Sequence, residues 1–93
     1  MKQNIQIDLR KKEIKIMKEQ IISILTELRP EFDFTDESIN FIEEGMLDSF
    51  DVVSLVDSLE SEFNIKINGV DILPENFCSL DNIIALIKKS GVE

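Results

Sequence analysis

The residues with the clearest chemical content lie together in Glu44-Gly45-Met46-Leu47-Asp48-Ser49-Phe50. A turn glycine and two apolar residues lead to an acid, a serine and a run of helical period, Asp51 to Phe63. If Asp48 caps that helix, its carboxylate takes up a free backbone N–H and Ser49 sits in the first turn with its hydroxyl facing water. Asp51, three residues on, completes a pair like the capping box, with Asp where Glu or Gln is usual. The first helical turn is electropositive, so a phosphate ester on Ser49 would be tolerated there. The chain contains no histidine. That removes Ser-His-Asp and Cys-His nucleophile pairs and histidine-ligated zinc, and it leaves Ser49 without an obvious general base. A serine that cannot attack unaided reads better as the target of another enzyme.

The whole chain of 93 residues fits one domain with one modest core. Apolar content of 43% is that of a globular protein. No apolar run approaches the ~20 residues of a membrane span. The opening Met1-Lys2-Gln3-Asn4 lacks the apolar core of a signal peptide. Cys78 is alone, which fits a reducing, cytoplasmic setting. The net charge of −9 is unevenly spread: residues 1–29 hold seven bases and four acids, residues 30–93 three bases and fifteen acids. Such a field repels nucleic acid and anionic membranes and attracts basic protein surfaces.

Three main helices and one short one are expected, with a long first loop. Residues 1–10 alternate weakly through Ile5, Ile7 and Leu9 and are set apart as a loose N-terminal extension. Residues 10–29 carry Ile14, Met17, Ile21, Ile24, Leu25 and Leu28 at helical spacing, and Pro30 ends the helix. Residues 30–48 form a connection long enough to require packing of its own, by Phe32, Phe34, Ile39, Phe41, Ile42, Met46 and Leu47. Thr35 to Ser38 could start one helical turn. Asp33, Asp36 and Glu37 raise calcium, but the glycine of an EF-hand loop is missing. The second helix, 49–63, has an apolar face of Val52, Leu55, Val56, Leu59 and Phe63 and an otherwise acidic surface with no base on it. An acidic face without i,i+4 partners is a plausible docking surface for a basic protein. Pro74 to Phe77 reads as one short helical turn, with Cys78 a small core residue beside it. Ser79 caps the last helix, whose charges suit its dipole: Asp81 early, Lys88 and Lys89 late.

With these residues in place the chain resembles the acyl/peptidyl carrier protein family. The family's Gly-x-x-Asp-Ser-Leu signature stands here as Gly45-Met46-Leu47-Asp48-Ser49-Phe50, with Phe in the Leu position. The approach Phe41-Ile42-Glu43-Glu44-Gly45 and the later run Leu73 to Asp81 look like the family as well, and the likeness covers roughly residues 11–90. The resemblance implies an all-α, acyl-carrier-protein-like four-helix bundle over 11–90. It implies that Ser49 accepts 4′-phosphopantetheine from coenzyme A through a separate phosphopantetheinyl transferase, with Asp48 flanking the attachment. The arm's thiol then holds acyl or aminoacyl groups as thioesters and presents them to partner enzymes, while the carrier performs no catalysis and binds no metal. Partners would read Asp48, Asp51, Asp57, Glu60 and Glu62 through ion pairs, and Phe50, Val53 and Met46 through apolar contact. The fatty-acid type commonly has Glu five residues after the serine and an apolar residue eight after it; here these are Ser54 and Asp57. The Asp-Ser-Phe spelling looks more like discrete carriers served by an adenylating ligase, such as D-alanyl or stand-alone aminoacyl carriers, working as monomers. The alternative is an unmodified acidic helical adaptor that docks basic proteins. On the acidic-face reading, Glu60→Lys should weaken docking more than it changes folding.

Overall fold

A computed structural model describes the backbone of residues 2–91 and the side chains of residues 12–91. Among the described residues the chain is all-helical, with no strand. Helix α1 runs Lys2–Leu28, α2 Ser49–Phe63 and α3 Leu80–Lys89. Two single 3-10 turns, Gly69–Asp71 and Pro74–Phe77, lie between α2 and α3. The short fourth helix expected at Pro74 is therefore a 3-10 turn and not an α-helix. Pro74 opens it, as a residue with fixed φ and no N–H should.

Helix α1 begins at Lys2, not at Arg10, so the stretch set apart as an extension continues the helix. Residues 2–13 contain no Gly or Pro and are rich in Lys, Gln, Arg and Glu, all good helix formers. The weak alternation through Ile5, Ile7 and Leu9 does not outweigh that propensity; their side chains lie outside the described residues. At ~1.5 Å per residue, 27 helical residues span about 40 Å. That accounts for most of the 46 Å long axis of the molecule. Among the residues whose side chains are described, the C-terminal half of α1 packs on the rest. Ile21 and Leu25 are fully buried and Met17, Ile24 and Leu28 half-buried, whereas Ile14, expected in the core, is exposed.

The core joins one face of each helix to the long connection. Leu55 and Leu59 of α2 and Ile83 and Ile87 of α3 are fully buried, with Leu80, Ile84 and Leu86 nearly so. Phe34 and Phe41 anchor the connection, their rings edge-to-face with centroids 5.1 Å apart. Such a pair adds about 0.5–1.5 kcal/mol to the gain from burial. Phe41 also ties the backbone: its N–H donates to the Cys78 carbonyl at 2.8 Å, and its carbonyl accepts from Met46 and Leu47. Thr35 to Ser38 form turns, not a helix. Asp33 accepts from the N–H and hydroxyl of Thr35, and Asp36 accepts likewise from Ser38. These acids have turn-closing roles of their own.

Because Phe41 contributes both ring and backbone to this junction, Phe41→Ala is expected to cost about 3–5 kcal/mol of unfolding free energy, read by urea denaturation. A loss below about 1 kcal/mol would show that the connection is not held from this point.

Candidate functional site

Gly45 turns the chain toward α2. Its φ of +74° lies in the left-handed region, and its N–H donates to the Ile42 carbonyl. A side chain would meet nothing within 4 Å there, so the requirement is conformational, not steric. Met46 and Leu47 then drop into the core. Met46, expected to help meet partners, is buried instead.

Asp48 is the N-cap of α2 in extended conformation, and the capping box is complete. Its Oδ1 accepts the Asp51 N–H at 2.9 Å, and Asp51 Oδ2 accepts the Asp48 N–H at 3.0 Å. The Asp51 side chain faces the end of α1. There Arg29 meets it, with Nε and Nη2 each 2.9 Å from Asp51 Oδ2. Arg29 Nη2 also lies 3.3 Å from Asp48 Oδ2, and Nη1 lies 3.0 Å from Glu31. The Phe32 ring backs the guanidinium at 6.0 Å.

Burial pushes the Asp51 carboxyl up, but the hydrogen bonds from Arg29 and from the Asp48 N–H outweigh it and hold the group below the usual aspartate range. Arg29 is driven above its ordinary value, chiefly by the bond to Asp51. Glu31 is lowered by its own backbone N–H and then by Arg29.

Ser49 is the first residue of α2 and is exposed. Phe50 and Val53 are also exposed, at 83% and 65%. By helical spacing Ser49, Phe50, Val53 and exposed Asp57 share one outward face. The other acids expected on that surface are placed differently. Asp51 is 8% exposed and turned toward α1. Glu60 is half-buried and accepts the Ile67 N–H at 2.9 Å, holding the loop that follows α2. Glu62 accepts from Gln20 of α1 at 3.1 Å. Asp57 makes no ion pair among the described residues. Cys78, expected in the core, is half-buried; its thiol reaches the Glu75 carbonyl and accepts from Asn82.

Arg29 was missed by the sequence reading, which treats it only as the end of a helix. A signal was present: Arg29 is the only basic residue between Lys18 and Lys66, a stretch with thirteen acids. A lone cation in that setting has many carboxylates competing for it.

An exposed hydroxyl on a fixed first turn, beside an open glycine turn, has room for a covalently attached arm. The first-turn N–H groups favour the anion of a phosphodiester at that place. The residues present therefore fit a phosphate-linked group on Ser49. Among the described residues no helix is long and apolar enough to cross a membrane. A family model described as "Phosphopantetheine attachment site" matches residues 19–87. No curated protein matches the chain.

Asp51 tests the electrostatics of this site. Its lowered carboxyl contributes stability that is present above the unfolded value of about 3.8 and is lost as pH falls through the folded value. Asp51→Asn is expected to cost about 1 kcal/mol at pH 7, and the gap from wild type should shrink below about pH 4. Denaturation curves of both proteins from pH 7 to pH 3 measure it; a gap that stays constant with pH would contradict the ion pair.

Proposed function

The chain belongs to the phosphopantetheine attachment family, and we propose that Ser49 takes the arm and that the protein holds acyl or aminoacyl groups for partner enzymes. Membership makes this a carrier domain and not an enzyme, with 4′-phosphopantetheine as its covalent group. It also implies dealings with a phosphopantetheinyl transferase and with synthetic enzymes. The observation that supports Ser49 is its place: an exposed hydroxyl on the first turn of α2, directly after a fully formed capping box.

In the modification step, Ser49 Oγ attacks the β-phosphorus of coenzyme A. An O–P bond forms, the bridging P–O bond of the diphosphate breaks, 3′,5′-adenosine bisphosphate leaves, and the hydroxyl proton passes to a base on the transferase. The chain has no histidine, and Asp48 beside Ser49 is already engaged by the Asp51 N–H and by Arg29, so we assign the base to the partner. When attached, the arm supplies a terminal thiol for thioester carriage. The chain's own tasks are to present the hydroxyl, to keep the helix start fixed, and to offer a face for recognition. A mobile arm on a small rigid domain raises the effective concentration of cargo at several active sites.

On this reading the three α-helices and the Pro74–Phe77 turn form the carrier-type bundle, with residues 11–90 as the domain. Partners read Phe50, Val53 and Asp57, with Asp48 at the edge of that face. A basic surface with an apolar centre fits that face, as on an adenylating ligase or a synthase. Ser54 and Asp57 favour the ligase-served, aminoacyl type, acting as a cytoplasmic monomer. Glu60 is a poor probe of docking because its carboxylate holds the Ile67 N–H, so Glu60→Lys would disturb the fold as well.

Intact mass after incubation with coenzyme A and a promiscuous transferase is expected to rise by one phosphopantetheine, and not to rise in Ser49→Ala. No gain in folded wild-type protein would favour the unmodified adaptor. Asp57→Lys should raise the transferase KM several-fold and leave Tm unchanged. A parallel fall in activity and Tm would remove Asp57 from the recognition face.

A further inference from the structure

We propose that Arg29 is a positioning residue for the modification of Ser49: it holds both acids of the α2 capping box and so fixes how the serine hydroxyl leaves the first turn. The inference rests on the reading of Ser49 as the attachment residue.

Arg29 stands where α1 ends. Its N–H still donates to the Leu25 carbonyl at 2.8 Å, and Pro30 follows. The backbone that carries it is thus an extension of a packed helix, not a free loop. Its guanidinium is engaged on several sides, by Asp51, Asp48, Glu31 and the Phe32 ring. Guanidinium geometry matters here, because its rigid planar fork sets Nε and Nη2 on Asp51, Nη2 on Asp48 and Nη1 on Glu31 in one fixed arrangement, which a single ammonium nitrogen on a flexible stem does not reproduce. Each Asp also spends an oxygen on the helix start: Asp48 Oδ1 on the Asp51 N–H, and Asp51 Oδ2 on the Asp48 N–H. The cap and the cation therefore share the same two side chains.

Without Arg29, Asp51 would be a buried carboxylate beside a second carboxylate with no counter-charge. It would have to turn outward to be hydrated, and turning outward breaks its bond to the Asp48 N–H. The residue next to Asp48 is Ser49, so the loosened turn is the one that carries the hydroxyl. The outward face of Phe50, Val53 and Asp57 makes no contact with Arg29 in any of these hydrogen bonds or ion pairs. Loss of Arg29 should therefore affect the chemical step and not the docking. Two carboxylates freed from it could even strengthen attraction to a basic transferase.

The experiment measures steady-state loading by coenzyme A and a phosphopantetheinyl transferase, with the carrier as varied substrate. Full-length wild type, Arg29→Ala and Arg29→Lys are compared at a temperature where circular dichroism shows each folded. Arg29→Ala is expected to lower kcat about tenfold, with KM unchanged or lower, since small misplacement of a reacting atom is costly. Arg29→Lys should fall between the two. An unchanged kcat in Arg29→Ala, or a loss carried wholly by KM, overturns the proposal. Should Arg29→Ala not fold, Arg29→Lys decides: a kcat below about half of wild type supports the proposal and an equal kcat overturns it. Wild type that gains no mass defeats the reading of Ser49 itself, and this inference falls with it; wild type that loads normally confines any failure to Arg29.

Discussion

The reciprocal bonds between Asp48 and Asp51 set where α2 begins, and much of the surrounding architecture serves to hold them. A helix start left to itself frays, because its first N–H groups have no partners in the helix. Here one N–H is taken by Asp48 and the cap's own N–H by Asp51. Arg29 then joins the pair to the end of α1, and Met46 and Leu47 pin the approach from below. The outcome is a serine that is exposed yet carried on a fixed turn. Burial would have fixed it more simply, but on our reading of Ser49 as the attachment residue a buried hydroxyl could not accept an arm from another enzyme.

The long connection follows from the same demand. Twenty residues, 29–48, separate α1 from α2, and a loop of that length is costly to order unless its side chains pack. Phe34 and Phe41 supply that packing, and the Phe41 backbone binds the loop both to the segment before α3 and to the residues entering α2. Asp33 and Asp36 close local turns in between. The site is thus positioned by a packed loop and not by helix-to-helix contact alone.

Much of this was legible in the sequence. Asp48, Ser49 and Asp51 carry the local chemistry of a helix start, and local chemistry is what a sequence displays directly. The same holds for Ser79, which caps α3 by accepting the Asn82 N–H. The apolar spacing of α2 and α3 located their buried faces for a similar reason. The start of α1 was misplaced because two weak patterns competed there: an alternation of three residues and a helix propensity spread over the whole segment. Propensity prevailed because nothing broke it. Arg29 was missed for a different reason. Its partners lie 19 and 22 residues away, and pairing at that distance is a property of the fold.

The acids of α2 show why composition alone misjudges a surface. Read as a strip, Asp51, Asp57, Glu60 and Glu62 are equivalent negative charges. In the fold they divide by the direction in which each leaves the helix. Asp51 and Glu62 leave toward α1 and find Arg29 and Gln20. Glu60 bends back to hold an N–H of the following loop. Asp57 leaves beside Phe50 and Val53 and stays in water. A charge already hydrogen-bonded inside its own protein must give up that bond before a partner can use it, so its net worth to docking is small. A charge held only by water gives up less, and its exposed apolar neighbours add a desolvation gain when a partner covers them. On our reading of this face, recognition therefore rests on one acid set among apolar side chains close to the serine, and the rest of the negative charge acts at longer range by drawing basic surfaces toward it.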